Sequence, residues 1–184
     1  MGKKNKNWNC AFFLIGLILL AISCKKDDTI PVDLKIGLNY QGGIIFQLDA
    51  TGDHGLIAAI SDQSSTDAWW NGSFVTTGAT DITNGSANTT KIINAQGNSG
   101  TYAARLCANY RGGDYSDWFL PSKDQLNFLY LNKSIIGGFS DNIYWSSTEY
   151  DLGEAWVQDF STGEQHLDNI SDGANVHTRA IRAF

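Results

Sequence analysis

The sequence has no apolar run long enough to span a membrane. Its most hydrophobic stretch, "CAFFLIGLILLAIS" in residues 10–23, holds about a dozen apolar residues, whereas a transmembrane helix needs roughly 20. Lys3, Lys4 and Lys6 precede this stretch. A short apolar segment behind a basic start is typical of a secretory signal peptide. We therefore expect residues 1–23 to be a signal peptide and leave them out of the fold prediction.

Basic residues are scarce after this segment. The chain has 13 lysines and arginines against 19 aspartates and glutamates. Removing residues 1–23 takes away three lysines and no acids, so 10 basic side chains face 19 acidic ones and the net charge is −9. No basic run is left to neutralise phosphates, and we expect no nucleic-acid partner.

Cysteine is also scarce, with three in the chain. Cys10 would leave with the signal peptide, and Cys24 is the first residue after it. Cys107 is then alone, which excludes an intramolecular disulfide, a cysteine-pair redox site and a four-cysteine zinc site. Its position on an apolar helix face predicts a buried structural thiol.

The end of the signal segment predicts a lipid anchor. In "LLAISC", the small residues Ala21 and Ser23 come just before Cys24, which resembles the bacterial lipobox. The resemblance implies that Cys24 is lipidated and becomes the new N-terminus, with acyl chains holding the protein on a membrane. The alternative is an ordinary secretory signal followed by a chance cysteine.

The residues after Cys24 bear on location. "KKDDTIPVD" resembles the export signal that carries lipoproteins of Bacteroidetes-type bacteria to the outside of the cell. We expect an outer-membrane protein that faces the exterior, the alternative being a solvated charged linker. The predicted organisation is a signal peptide in residues 1–23, a polar tether in 24–38 and one domain in 39–184.

The domain pattern predicts an α+β fold. Apolar runs at residues 44–48 and 56–60 flank a turn-rich segment and indicate a β-hairpin. A loop rich in Gly, Ser, Thr and Asn extends to about residue 85, and two or three helices follow. From residue 143 onward, "IYWSSTE", "EAWVQDF", "QHLDNI" and "VHTRAIRAF" are short β-runs, which predict antiparallel strands.

The stretch "DWFLPSKDQL" in residues 117–126 has two interpretations. Its crowded charges and aromatics are typical of a ligand site. Ser122 as a helix N-cap and Gln125 three residues later also complete a capping box. The capping pattern explains the spacing, so we predict a fold element with Trp118 and Leu120 packed beneath the helix.

Several motifs occur together in order: "GGIIFQLD", "DHGLIAA", "GGDYSDWFLPSKDQLNFLY", "YWSSTE", "AWVQDF" and "RAIRAF". From about Gly42 to Phe184 they resemble the family named after the C-terminal domain of the Legionella collagen-like adhesin. The layout is also similar to the C-type-lectin-like superfamily, in the branch of the formylglycine-generating enzymes. This resemblance implies that the first and last strands pair and that long loops at the opposite end bind ligands.

The resemblance also implies a surface adhesion module. The adhesin domain is associated with sulfated glycosaminoglycans, but a polyanion needs a cationic patch that this acidic chain lacks. Neutral glycans or glycoproteins fit the charge better. The alternative is a structural or assembly subunit of a cell-envelope complex, and a third hypothesis is a degenerate hydrolase or transferase.

Aromatic residues in loops are the candidate ligand contacts, since aromatic faces can stack on sugar rings. We select Trp69, Trp70 and Asn71 in the first long loop and Tyr150 in the β-turn region. The alternative for each aromatic is a place in the core, because a domain without disulfides fills its interior with such rings. That interpretation is preferred for Trp118, Trp145 and Trp156.

No catalytic or metal site is predicted. His54, His166 and His177 lie far apart in sequence, at positions that read as exposed, and the cysteine pair of formylglycine-generating enzymes is missing. Acidic turn residues leave a calcium site as a secondary possibility, although no spacing matches an EF-hand. These are Asp49, Asp53, Asp114, Asp117, Asp141, Glu149 and Asp172. We expect no cofactor, and we expect Arg179 and Arg182 to pair with acids such as Asp124 or Glu149.

Overall fold

The structure, a computed structural model, describes residues 32–184. The predicted signal peptide, the lipidation site Cys24 and most of the predicted tether lie outside these residues. None of the helices between residues 32 and 184 is long and apolar enough to cross a membrane.

The last residues of the predicted tether pack against the domain. Leu34 and Leu38 pack against the main core, and Gly37 N donates to Ile45 O over 2.8 Å. These contacts make residues 33–38 part of the compact unit Asp33–Phe184. Leu34 and Leu38 are partly buried there, whereas the predicted end of the tether at residue 38 stays a prediction.

The described residues form two four-stranded sheets. The first sheet has the order β1-β2-β3-β8 and is antiparallel throughout. Its strands are β1 (Asn39–Tyr40), β2 (Gly43–Leu48), β3 (Gly55–Ala59) and β8 (Ile181–Ala183). The hairpin prediction is confirmed. The family resemblance implied that the first and last strands pair. The last strand, β8, instead pairs with β3, the second strand of that hairpin.

The second sheet has the order β6-β5-β4-β7. Its strands are β4 (Ile143–Glu149), β5 (Glu154–Asp159), β6 (Gln165–Asn169) and β7 (Val176–His177). β4, β5 and β6 are antiparallel, whereas β7 runs parallel to β4. The prediction of purely antiparallel C-terminal strands is wrong at β7. Within residues 176–184, β7 therefore pairs in the second sheet and β8 pairs in the first sheet.

Four helices lie in the described part of the chain. They are α1 (Gly85–Gln96), α2 (Ala103–Asn109), α3 (Lys123–Leu131) and α4 (Lys133–Ile136). The capping box at the start of α3 is confirmed, since Ser122 and Gln125 bond to each other's backbone N–H groups. The mixed α+β fold class is thus as predicted.

Neighbouring residues divide between two hydrophobic clusters. In "DWFLPSKDQL", Trp118 and Leu120 enter the larger cluster, while Phe119 enters the smaller one. Phe119 also exchanges two backbone hydrogen bonds with Ile181, of 2.8 and 3.0 Å. This extended segment therefore connects the first sheet to the start of α3, as expected for a fold element.

Candidate functional site

Trp69 is not a surface residue. Its side chain is fully buried, and its indole Nε1 donates to Ser146 O over 2.8 Å. The prediction that Trp69 contacts a ligand is therefore wrong. The large apolar ring fills the core beneath a polar loop, and a β4 carbonyl satisfies its one donor.

Trp70 and Asn71 lie at the surface end of the same loop. The half-buried ring of Trp70 lies 4.3 Å from the ring of Phe74, which is 59% exposed. Asn71 N donates to Gln96 Oε1, and Asn71 Nδ2 donates to Gln96 O. Asn71 thus fastens the loop to the end of α1, and Phe74 is an exposed aromatic that the sequence analysis did not select.

Tyr150 belongs to a second aromatic pair, at the turn between β4 and β5. It is 57% exposed, and its ring stands perpendicular to that of Trp156 at 6.3 Å. Lys123 Nζ lies 3.3 Å from the centre of the Trp156 ring. Trp156 is half-buried, so its prediction as core is wrong, whereas Trp118 and Trp145 are buried as predicted.

An open cleft of about 420 Å³ lies between the β2–β3 hairpin, the loop before α1 and the start of α3. Volumes of roughly 300–1,000 Å³ are typical of small-molecule sites. The lining residues are Gln47, Asp49, Gly55, Leu56, Thr83, Asp124, Gln125 and Phe128. None of the predicted ligand residues is among them.

The capping box of α3 shapes one wall of the cleft. Gln125 Oε1 accepts from Ser122 N and from Gly85 N, each over 3.0 Å. Asp124 N donates to Ile82 O over 2.9 Å. These bonds hold the first turns of α1 and α3 together, and they place Asp124 in the lining of the cleft.

The polar groups of the cleft are mainly acceptors. Asp49 Oδ1 accepts from Thr51 Oγ1 over 2.6 Å, and this bond is the main cause that lowers the pKa of the Asp49 carboxyl below its usual value. Asp49 is therefore ionised at neutral pH. Gln47 Oε1 is buried without a hydrogen-bond partner among the described residues. None of the eight lining residues is basic.

Phe128 supplies an exposed apolar surface beside these acceptors, with 40% of its area exposed. In the sequence it falls outside the stripe formed by Leu126 and Leu129, so helical spacing places it on the outer side of α3. That signal could have identified Phe128. Asp124 was predicted as part of the first turn of this helix and as a partner for a C-terminal arginine, not as a cleft residue.

Asp62 organises a separate buried polar cluster. It accepts from Arg179 Nε over 2.6 Å, from His177 Nδ1 over 2.7 Å and from Tyr144 OH over 2.9 Å. Burial raises the pKa of the Tyr144 hydroxyl. His177 is buried, so its predicted exposure is wrong. Tyr144 and His177 belong to the second sheet, whereas Asp62 follows β3 of the first sheet and Arg179 precedes β8. The cluster therefore connects the two sheets.

The second ring nitrogen of His177 does not face a nucleophile. His177 Nε2 lies 3.1 Å from Asn142 Nδ2. An aspartate–histidine pair needs a hydroxyl or thiol at that position to act in nucleophilic catalysis. The described contacts of this cluster therefore point to a structural role.

Both C-terminal arginines pair with acids other than those predicted. Arg179 bonds to Asp62, and Arg182 Nε bonds to Asp117. The first predicted partner, Asp124, lines the cleft. The second, Glu149, is buried and accepts from Thr77 N and Gly78 N, each over 2.8 Å. The predicted pairs are wrong because the strand register and the loop path, neither visible locally, determine which charges meet.

Cys107 is buried, as predicted, and burial raises the pKa of its thiol well above the usual value. In residues 32–184 there is no group of three or more His, Cys, Asp or Glu side chains that could hold a metal ion.

No protein-family model matches the chain, and no curated protein is significantly similar to it.

Proposed function

We propose that this protein is a lipid-anchored lipoprotein of the outer membrane whose domain binds a neutral glycan at the cell surface without catalysis. The finer fold assignment, a C-type-lectin-like domain of the collagen-like adhesin family, belongs to the same proposal. It rests on the motifs in residues 42–184 and on the mixed α+β architecture, in which the last strand joins the N-terminal hairpin.

The chemistry of the cleft carries the glycan proposal. Asp49, Asp124 and the unpartnered Gln47 Oε1 accept hydrogen bonds, which sugar hydroxyls donate. The Phe128 ring offers an apolar face to the C–H face of a sugar. Because the lining residues include acids and no bases, a sulfated or otherwise anionic glycan would be repelled.

The two cleft carboxyls also favour a second candidate, glycoside hydrolysis. Such enzymes need one carboxyl with a raised pKa to act as general acid. The pKa of Asp49 is lowered, and its carboxylate is held by Thr51 and Gly52. Asp49 is therefore unsuited to the role of general acid, and we favour binding over hydrolysis. Incubating bound oligosaccharides with the protein and measuring new reducing ends tests this choice, since their release would establish hydrolysis.

A glycan array with residues 25–184, run with and without calcium, tests the binding proposal. We expect neutral glycans to bind and sulfated glycans not to bind. Phe128→Ala and Asp124→Asn should each weaken binding about tenfold or more, because each removes a cleft contact. Ile60→Ala and Glu164→Gln are matched controls, exposed and outside the cleft lining.

The results of the array distinguish an error in the location of the binding site from an error in the proposed function. Loss of binding in Tyr150→Ala or Trp70→Ala, with Phe128→Ala unaffected, would move the site to the aromatic pairs. Failure to bind any glycan would favour the other hypothesis, an accessory subunit of an envelope complex. The exposed Phe74, packed on the half-buried Trp70, supports that alternative, because aromatic residues are enriched in protein interfaces.

The anchor has its own test. Cys24→Ala should abolish acyl labelling and release the protein from the membrane fraction, and Cys107→Ala is the matched control. Proteolysis of intact cells should digest the domain if it faces outward. Unchanged fractionation of Cys24→Ala would overturn the lipoprotein proposal, and protection from protease would place the domain inside the envelope.

A further inference from the structure

Three exposed aliphatic side chains lie close to the point where the chain enters the domain. Ile36 is 44% exposed, Leu131 64% and Ile135 54%. We name these three residues the entry stripe. Gly37 lies directly against Ile135, because a Cβ atom on that glycine would be 2.9 Å from Ile135 Cγ2.

The other two residues of the entry stripe, Leu131 and Ile135, lie on the same face of neighbouring helical turns. Leu131 ends α3 and Ile135 lies four residues later in α4, and the helix turn between them is nearly continuous, since Asn132 O accepts from both Ile135 N and Ile136 N. Residues four apart share a helix face. On the opposite side, Leu129 and Ile136 are buried in the smaller hydrophobic cluster. The entry stripe is therefore the outer face of a helix pair whose inner face is already packed.

The position of the stripe along the chain limits what can cover it. If Cys24 is lipidated, the eight residues Lys25–Val32 join the lipid to the compact unit that begins at Asp33. Eight residues span at most about 28 Å. A folded domain of this length has a radius of gyration of about 15 Å, which corresponds to a diameter of roughly 40 Å. The far side of the domain therefore lies beyond that reach. The entry side of the domain is thus the part that the anchor keeps nearest to lipid.

We infer that the entry stripe rests on the surface of the bilayer that holds the lipid anchor. This inference depends on the lipidation in the proposed function. Three partly exposed side chains fall far short of the roughly 800 Å² per partner of a stable protein interface. A tethered contact needs much less area, because the anchor makes it effectively intramolecular. Lys35, exposed beside Ile36, can extend towards lipid phosphates while its stem covers apolar surface.

The contact can be measured with an environment-sensitive fluorophore on the full lipidated protein in vesicles. The probe is attached at Leu131→Cys, and the matched control is Leu152→Cys, an exposed leucine at the β4–β5 turn. Labelling is selective, since Cys107 is buried and the thiol of Cys24 would carry lipid. The vesicles contain phosphatidylethanolamine and phosphatidylglycerol, with or without a doxyl-labelled phospholipid that quenches the probe.

We expect doxyl lipid to quench the Leu131→Cys probe at least twofold more than the Leu152→Cys probe. Adding Ile36→Ser and Ile135→Ser should reduce that quenching to the control level while the protein still floats with the vesicles. Equal quenching at both positions, or a Leu131→Cys probe shielded from water but insensitive to doxyl lipid, would overturn the inference. The second result would identify a protein as the occupant.

Flotation distinguishes the two proposals. A protein that floats but shows no selective quenching retains its anchor and disproves the bilayer contact. A protein that does not float disproves the anchor, and the inference that depends on it fails too.

Discussion

Arg179 and Asp62 form an ion pair across 117 positions of sequence, with Nε 2.6 Å from Oδ1. The Arg179 side chain is fully buried, and its Nη1 donates to Ala59 O over 2.8 Å. Its guanidinium carbon also lies 4.0 Å from the centre of the Phe139 ring. The pair thus connects the end of β3, the segment before β4 and the chain that returns to β8.

Asp62→Asn should destabilise the domain by about 3–5 kcal/mol, because it leaves the Arg179 charge buried without its counter-ion. Urea denaturation measures the loss. Asp141→Asn is the matched control, since Asp141 pairs with Lys133 in the open, at 3.5 Å, with 80% of its side chain exposed. That change should cost at most about 1 kcal/mol. Equal effects of the two variants would show that the buried pair has no special role.

Glu149→Gln should loosen the loop that contains Thr77 and Gly78. The carboxylate accepts a bond from each of their backbone amides at 2.8 Å, and glutamine retains one acceptor oxygen. We expect a cost of about 1–3 kcal/mol and faster hydrogen exchange at these two amides. Glu154→Gln, on the neighbouring strand, serves as the control. Unchanged exchange at both amides would contradict this role.

Gly85→Ala should separate the first turns of α1 and α3. A Cβ atom there would lie 2.5 Å from both Leu120 O and Gln125 Oε1, so one helix start must shift. Overpacking of this kind costs about 1–3 kcal/mol, measurable as a lower urea midpoint. Gly153→Ala is the control, since its nearest neighbour would be 3.9 Å away. Equal midpoints would show that the helix starts can adapt.

Acid should weaken the domain through its aspartate turns. Hydrogen bonds lower the pKa of Asp49, first through the Thr51 side chain, and of Asp81 and Asp159, first through Thr83 and Ser161. The unfolded chain therefore binds protons at a higher pH than the folded chain. This contribution to stability is complete above the unfolded value near pH 4 and is lost as the pH falls through the folded values.

Urea denaturation at pH 7, 4 and 3 measures the effect. Thr51→Val should make the acid-induced loss smaller, because it removes the main bond that lowers the pKa of Asp49. Thr76→Val, at an exposed threonine, should leave the loss unchanged. A pH dependence identical in all three proteins would show that the turn at Asp49 contributes nothing.

Local patterns predicted the local structure well. The capping box at Ser122 depends on residues three apart, and the β4 strand is a short run of residues with strand preference, so both are visible in the sequence. The burial of Trp118 and Leu120 also followed from their place before a helix. Asp124 was predicted as a helix-cap residue and arginine partner, and Phe128 was not selected. Neither residue reveals by itself that the β2–β3 hairpin lies opposite.

The failures involve distance along the chain. Trp69 stands in a polar loop, yet Ser146, 77 residues later, accepts its indole hydrogen bond inside the core. Arg182 meets Asp117, and His177 meets Asp62. Loop composition and charge sign could not identify these partners, because each pair depends on how distant segments of the chain pack together.

The sequence by itself determined the acidic balance, the burial of Cys107, the helix cap at Ser122 and the order of hairpin, helices and strands. These features depend on composition or on neighbours within one turn or strand, where short-range geometry is decisive. Only the tertiary structure decided that Trp69 is core, that β7 runs parallel to β4 and that Asp49 and Phe128 share a cleft. Those relationships arise when distant segments bury apolar surface together. The packing that minimises the exposed apolar area then determines which side chains come into contact.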